Sequence, residues 1–177
     1  ARQLDLAILF DSQAGRRWSV MPLLEEKLFL IESRQPTSVT AAKPPKRMSV
    51  AQLGDLPLIL PTGSHGLRST LEGAFARAKC KPNVVAEIDS LAMLMDAVDN
   101  GLGCTVQPWA AVGRYADAAQ RFKLTEISDT LARRATALCS LSDDELSPAG
   151  LAARVVLADC AREAVLSGRW VGARLVS

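Results

Sequence analysis

Residues 56–108 read LPLILPTGSHGLRSTLEGAFARAKCKPNVVAEIDSLAMLMDAVDNGLGCTVQP. Apolar runs and helical stripes alternate through this stretch. LPLILP is an apolar strand closed by Pro61, and TGSH then turns into a helix whose Leu67, Leu71, Phe75 and Ala78 recur at helical spacing. Pro82 ends that helix, and Val84 to Ile88 is the next strand. Asp89 and Ser90 supply an N-cap for a second helix striped by Leu91, Leu94, Met95 and Val98, with Gly101 as its left-handed stop. Leu102 to Val106 is a third strand, and Pro108 suits the first position of a short helix carrying Trp109 to Tyr115. This order predicts parallel strands joined by right-handed crossovers, and hence an α/β fold.

The flanks extend the pattern. Leu4 to Phe10 is an apolar run suited to a strand buried on both faces, and Trp18 to Met21 and Lys27 to Ile31 read as two shorter core strands. Pro36, Pro44 and Pro45 make Glu32 to Arg47 an exposed loop, whose Lys43, Lys46 and Arg47 form a solvated charge cluster that can also attract an anion. Ser49 caps a short helix through Leu53. Beyond the central stretch, Phe122 to Ile127 and Ala135 to Leu141 are strands. In the latter, Ala135, Ala137, Cys139 and Leu141 face one way and Arg134, Thr136 and Ser140 the other. Ser147 caps and Pro148 starts a long helix striped by Leu151, Val155, Ala158 and Val165, which stops at Gly168. Trp18, Trp109 and Trp170 read as packing residues rather than stacking platforms, since none sits beside a basic stripe.

Composition narrows the function. The 177 residues are 49% hydrophobic and 23% charged, enough for one domain or two small lobes to bury a core without staples. A net charge of +2 is far from the basic footprint of a nucleic-acid-binding surface. Cys80, Cys104, Cys139 and Cys160 lie far apart with no CxxC pair, so reduced thiols are expected rather than a zinc site or redox dithiol. No apolar run approaches the roughly 18 residues of a membrane span and no leader pattern opens the sequence, which favours the cytoplasm and no membrane partner.

No phosphate loop, HExxH, GxSxG elbow or EF-hand pattern is present, and GLGCTV carries Val106 where the third glycine of a dinucleotide fingerprint belongs. The single histidine, His65, has no partner for a metal site or triad. No enzyme activity, cofactor or metal is expected. What remains are polar clusters where strands end and helices begin, the place where open α/β sheets hold ligands. They are Thr62, Gly63, Ser64 and His65; Asp89 and Ser90; and Thr105 and Gln107. Converging, they cup a small anion. Taken singly, Ser64 and Ser90 are also helix caps, Asp89 repels an anion and suits a cap better, Thr105 is a good strand former, and His65 suits a solvated turn.

The succession LDLAILFD, PLLEEKLFLI, LGDLPLILPTGSHGLRSTLEGAF and EIDSLAMLMDAVDNGLGCTVQPWAAV, followed by a long C-terminal helix ending in GRW, resembles the effector-binding domain of LysR-type transcriptional regulators, in the branch similar to the nitrogen assimilation control protein. The resemblance implies a two-lobed, periplasmic-binding-protein-like (type II) α/β fold holding a small anionic effector between its lobes. It assigns residues 1–55 to a partial lobe one and crossover, 56–113 to lobe two, and 114–177 to the return crossover and the rest of lobe one. Thr62 to His65 match the family's ligand-contacting loop and Thr105 its polar strand-end position, with Ser90 a looser match. The resemblance also implies that the first lobe is incomplete, that the intact regulator is a dimer or tetramer, and that it grips DNA through an N-terminal winged helix not present in this chain. A solute-binding receptor of a transporter shares the architecture, and a two-lobed dehydratase needs only hydroxyls and a helix dipole; both stay open as alternatives.

Overall fold

The computed structural model describes residues 4–10, 18–35, 46–63 and 66–176. In chain order its elements are β1 (Leu6–Phe10), β2 (Ser19–Ser33), β3 (Arg47–Met48), β4 (Leu58–Leu60), α1 (Gly66–Arg77), β5 (Val84–Glu87), α2 (Leu91–Asp99), β6 (Thr105–Pro108), α3 (Ala118–Arg121), β7 (Phe122–Ile127), β8 (Arg133–Ser140), α4 (Pro148–Leu166) and β9 (Ala173–Leu175), with 3-10 turns at Val50–Leu53 and Trp109–Ala111. The chain divides into two compact units, Ala1–Glu26 with Arg134–Ser177, and Lys27–Arg133.

In the second unit β4 and β5 pair in parallel, and Leu58 bridges Cys104 in parallel just before β6. The half of β2 in this unit lies antiparallel to both β6 and β7, and β3 joins β7 in parallel. Among the described residues, five strands therefore run one way, with β2 alone against them. Alternation divides the apolar residues between two layers. Leu28, Leu30, Leu58, Leu60 and Val106 pack with Leu67, Leu71 and Phe75 of α1. Ile31 and Ile59 pack with Leu94, Met95 and Val98 of α2. Each such side chain, fully buried, stabilises the unit by about 1.5–3 kcal/mol. Gly103 allows the β4 junction to close, because a Cβ there would stand 2.7 Å from the Pro57 carbonyl oxygen.

In the first unit β1 pairs antiparallel with β8, β8 neighbours β2, and β9 pairs antiparallel with β2. Leu23, Leu24 and Leu138 pack against Ala161 of α4, with Ala158, Val165 and Trp170 alongside. Ser147 caps α4 by accepting from the Gly150 N–H at 3.1 Å, and Gly168 beyond its end has φ +73°. Glu26, 1% exposed, lies in this unit. Its Oε2 accepts from Arg134 Nε at 2.7 Å and its Oε1 from the Trp170 indole N–H at 2.8 Å. The Arg134 guanidinium in turn stacks 3.9 Å over the Phe10 ring.

Several expectations need correction. The two strands expected at residues 18–21 and 27–31 are one fifteen-residue strand, because Glu25 and Glu26 interrupt only its hydrophobicity: Arg174 pairs with the first and Arg134 with the second. Helix α1 stops at Arg77, before Pro82, at a left-handed Lys79 with φ +51°. The third strand starts at Thr105 rather than Leu102, after Gly101 has turned the chain at φ +73°. Pro108 closes that strand and caps a single 3-10 turn. In β8 both sets become buried toward the strand's end, Cys139 and Leu141 on one face and Leu138 and Ser140 on the other. Thr136, Leu138 and Ser140 are buried while Ala135 is exposed, and Arg154 of α4 donates to Ser140 Oγ at 3.3 Å. Ser140 is satisfied there by Arg154 and by the Leu141 carbonyl, whereas the buried Thr136 hydroxyl makes no hydrogen bond. On α4, Val155 leaves the buried stripe at 59% exposure. Of the three tryptophans, Trp109 and Trp170 pack as expected and Trp18 is exposed. Lys43 and the loop prolines lie outside the described residues.

Replacing Glu26 by Ala strands the Arg134 guanidinium and the Trp170 indole N–H, and is expected to destabilise the protein by about 3–5 kcal/mol. The double change Glu26→Leu with Arg134→Met removes both charges and is expected to cost far less. Urea denaturation midpoints of the two variants measure the difference.

Candidate functional site

Because five strands of the second unit share a direction, their carboxyl ends lie along one edge of the sheet. Pro61–Thr62–Gly63 follows β4, Ile88–Asp89–Ser90 follows β5, and Gln107–Pro108 ends β6. The antiparallel β2 enters the unit at this same edge through Lys27, beside Leu28, which pairs with Pro108. β7 and β3 bring Glu126 and Arg47 there as register partners.

Thr62 and Asp89 meet. The Thr62 N–H and Oγ1 both donate to Asp89 Oδ1 at 2.9 Å, and Oγ1 also reaches Oδ2 at 3.1 Å. Asp89 therefore ties two crossover turns together. The cap of α2 is Ser90 alone, whose Oγ accepts from the Met93 N–H at 3.5 Å. Behind Thr62, Arg68 donates to the Pro61 carbonyl at 3.0 Å and pairs with Glu72 at 2.8 Å and Glu87 at 2.7 Å. Gly63 is exposed, with open space where a Cβ would stand. Ser64 and His65 lie outside the described residues.

Gln107 and Thr105 do not lie at the same level. Gln107 is 6% exposed and in register with Phe29, which is itself in register with Glu126. It thus lies one residue from the strand end, beside the Thr62 turn. Thr105 pairs with Ile31, and the bridge from Leu58 to Cys104 puts it level with Ile59. It sits about three residues, roughly 10 Å, back from Thr62 along the strand direction. Its residue is fully buried, and its Oγ1 makes no hydrogen bond.

Charges outside the strand-end clusters complete the edge. Glu126 accepts from Arg47 Nη2 at 2.7 Å and lies 3.0 Å from Lys27 Nζ. Burial pushes the Glu126 carboxyl up, but the hydrogen bonds and charges of Arg47 and Lys27 outweigh burial and hold it below its ordinary 4.5. Charged residues within strand runs, Lys27 in LEEKLFLI and Glu126 in FKLTEI, were the available signal. Arg47, expected in a solvated loop cluster, is strand-bound to Glu126. One residue before β6, burial, with the Glu32 charge adding to it, pushes the Cys104 thiol up to about 12. Burial thus favours the neutral thiol at neutral pH. Among the described residues, no group of three His, Cys, Asp or Glu side chains is placed to hold a metal, and no helix is long and apolar enough to cross a membrane.

Two outcomes follow from this geometry. Thr105→Val removes an unsatisfied buried hydroxyl without changing shape, and is expected to raise stability by about 1 kcal/mol in denaturant titrations. Because the carboxyl of Glu126 is held below 4.5 in the folded state, its stabilising effect is complete above that pH and fades as the pH falls through the lowered value. Melting temperatures measured from pH 6 downward are expected to decline more steeply for the unaltered protein than for Glu126→Gln.

A family model described as LysR substrate binding domain matches residues 1–164. The nitrogen assimilation regulatory protein nac of Klebsiella aerogenes is 26% identical over 157 residues, covering 89% of this chain and 49% of that protein. The HTH-type transcriptional regulator BbuR of Bordetella bronchiseptica is 36% identical over 104 residues, covering 59% of this chain and 31% of that protein. The chain thus spans half the length, or less, of these curated relatives. Among solved structures, the effector-binding domain of QuiR in complex with shikimate superposes with a TM-score of 0.74 at 20% identity, over 92% of this chain and 74% of that one. The fold is that of LysR effector-binding domains, periplasmic-binding-protein-like and of type II. With nearly its whole length matched, the chain belongs to the LysR substrate-binding-domain family.

Proposed function

We propose that this chain senses a small anionic metabolite for a bacterial LysR-type transcriptional regulator, binding it without transforming it. The observation that carries this reading is the gathering of Thr62, Gly63, Ser90 and Gln107 along one sheet edge with no nucleophile or acid–base pair among them. Ser64 and His65, which follow Gly63 in sequence, are assigned to the same site. Thr105, whose buried hydroxyl lacks a partner, is assigned to the same site from a position behind the strand end. Gln107 offers an amide donor to a carboxylate, and Lys27 offers charge.

The effector acts by differential affinity. If it binds one arrangement of the regulator more tightly than another, it shifts the population toward the first, by no more than that difference in binding free energy. The regulator works as a homo-oligomer, a dimer or tetramer, in the cytoplasm. DNA contact is assigned to an N-terminal domain outside these 177 residues, in keeping with the HTH-type regulator among its relatives. The match to regulators, one of them similar over 89% of this chain, supports this reading over a transport receptor or a dehydratase.

A thermal-shift screen of small carboxylic acids and phosphate esters tests it. A true effector is expected to raise the melting temperature, and Gln107→Leu to weaken its binding about tenfold, the loss of a hydrogen bond to a charged group. Unchanged affinity in both Gln107→Leu and Thr105→Val would place the site elsewhere.

A further inference from the structure

The strand edge is electrically lopsided, which narrows the class of ligand it takes. Across the sheet the order is β5, β4, β6, β2, β7, β3. Among the described residues of the β5–β4 end, Arg68 pairs with two carboxylates, Glu72 and Glu87, and a third carboxylate, Asp89, accepts from Thr62. The donors of Thr62 at this end are turned onto Asp89, whose side chain is exposed. At the β2–β7–β3 end, Lys27 and Arg47 both reach Glu126. Gln107, an amide able both to donate and to accept, lies between the two ends.

We propose that Asp89 makes the Thr62 end of this edge select for positive charge or hydrogen-bond donors. The ligand is then a small carboxylate whose acid lies toward Lys27 and whose far side carries an ammonium or hydroxyl group. This rests on the strand-end site proposed above and assigns the orientation and class of its ligand. β4 and β2 are two strand spacings apart, about 10 Å. A ring acid substituted on its far side bridges that span once a hydrogen bond is added at each end. A second carboxylate in place of the donor would face Asp89 and Glu87 and be repelled. A bare anion docked on the Thr62 N–H would have to displace Asp89 from it.

Four matched probes test this by isothermal titration calorimetry: cyclohexanecarboxylate and its trans-4-ammonium, trans-4-hydroxy and trans-4-carboxylate analogues. The unaltered protein is expected to bind the ammonium acid at least about tenfold more tightly than the dicarboxylate, as expected for a hydrogen bond to a charged partner. The hydroxy acid is expected between them and above the unsubstituted acid. In Asp89→Asn the ammonium preference is expected to shrink to about threefold or less, with Asp89→Ser as a second variant and the melting temperature of each as a control for folding. Equal binding of the ammonium acid and the dicarboxylate, or tighter binding of the dicarboxylate, by the unaltered protein overturns the proposal and leaves the strand-end site standing. Preserved discrimination in a folded Asp89 variant also overturns it. Failure of all four probes to bind removes the strand-end site itself, and this inference with it.

Discussion

The strand β2 has no dispensable face, and both units depend on it. Its Leu23 and Leu24 enter the core against α4, Leu28 and Leu30 the layer under α1, and Ile31 the layer under α2. A strand carrying apolar residues on both faces is committed to burial between layers, since no register leaves a polar side for water. The only charged residues buried along it are compensated: Glu26 by Arg134 and the Trp170 indole, Glu32 by Lys123 at 2.7 Å. Desolvating a carboxylate costs several kcal/mol, so these partners are a condition for the strand to continue through its acidic pair rather than an addition to its stability.

The direction of β2 sets the chemistry of the edge. Had all six strands of the second unit run the same way, every side chain arriving there would have come from a strand end or the turn after it. Because β2 runs against the others, it brings the start of its segment, Lys27, to the same edge as Thr62, Gln107 and Glu126. A cation therefore reaches this edge from a strand whose own carboxyl end, at Ser33, lies on the opposite side of the sheet. The lopsided charge distribution is a product of topology as much as of residue type.

The sequence made the parallel crossover units legible because their signals are local: strand runs bounded by proline, helix stripes at helical spacing, and caps at Ser90 and Ser147 that the structure uses. It misread what depends on distant partners. Glu25 and Glu26 looked like a break because Arg174 and Arg134, which pair with them, lie more than a hundred residues away. In β8 residue type alone does not mark the packed side, since Thr136 and Ser140 are polar and yet buried. At the site, Thr62, Ser90 and Gln107 reach the expected edge, while Thr105 lies a few residues behind it because its strand begins later than its apolar residues suggested. The bond from Thr62 to Asp89 joins residues 27 apart and leaves no periodic trace.

That bond bears on how far a shared scaffold determines what is bound. Similarity at 20% identity to a domain that holds shikimate carries over an arrangement of strands and turns, not a set of contacts. Within the same arrangement, a threonine hydroxyl at the first turn is a donor to a ligand when nothing else claims it, and a fixture of the turn when a carboxylate does. In this chain the carboxylate of Asp89 holds both Thr62 donors. What the turn offers a ligand is then governed by the residue that binds the threonine more than by the threonine itself. Reading specificity from residue types at strand ends alone inverts the sign of the site at this position, and the correction comes from tracing each hydrogen bond to its partner.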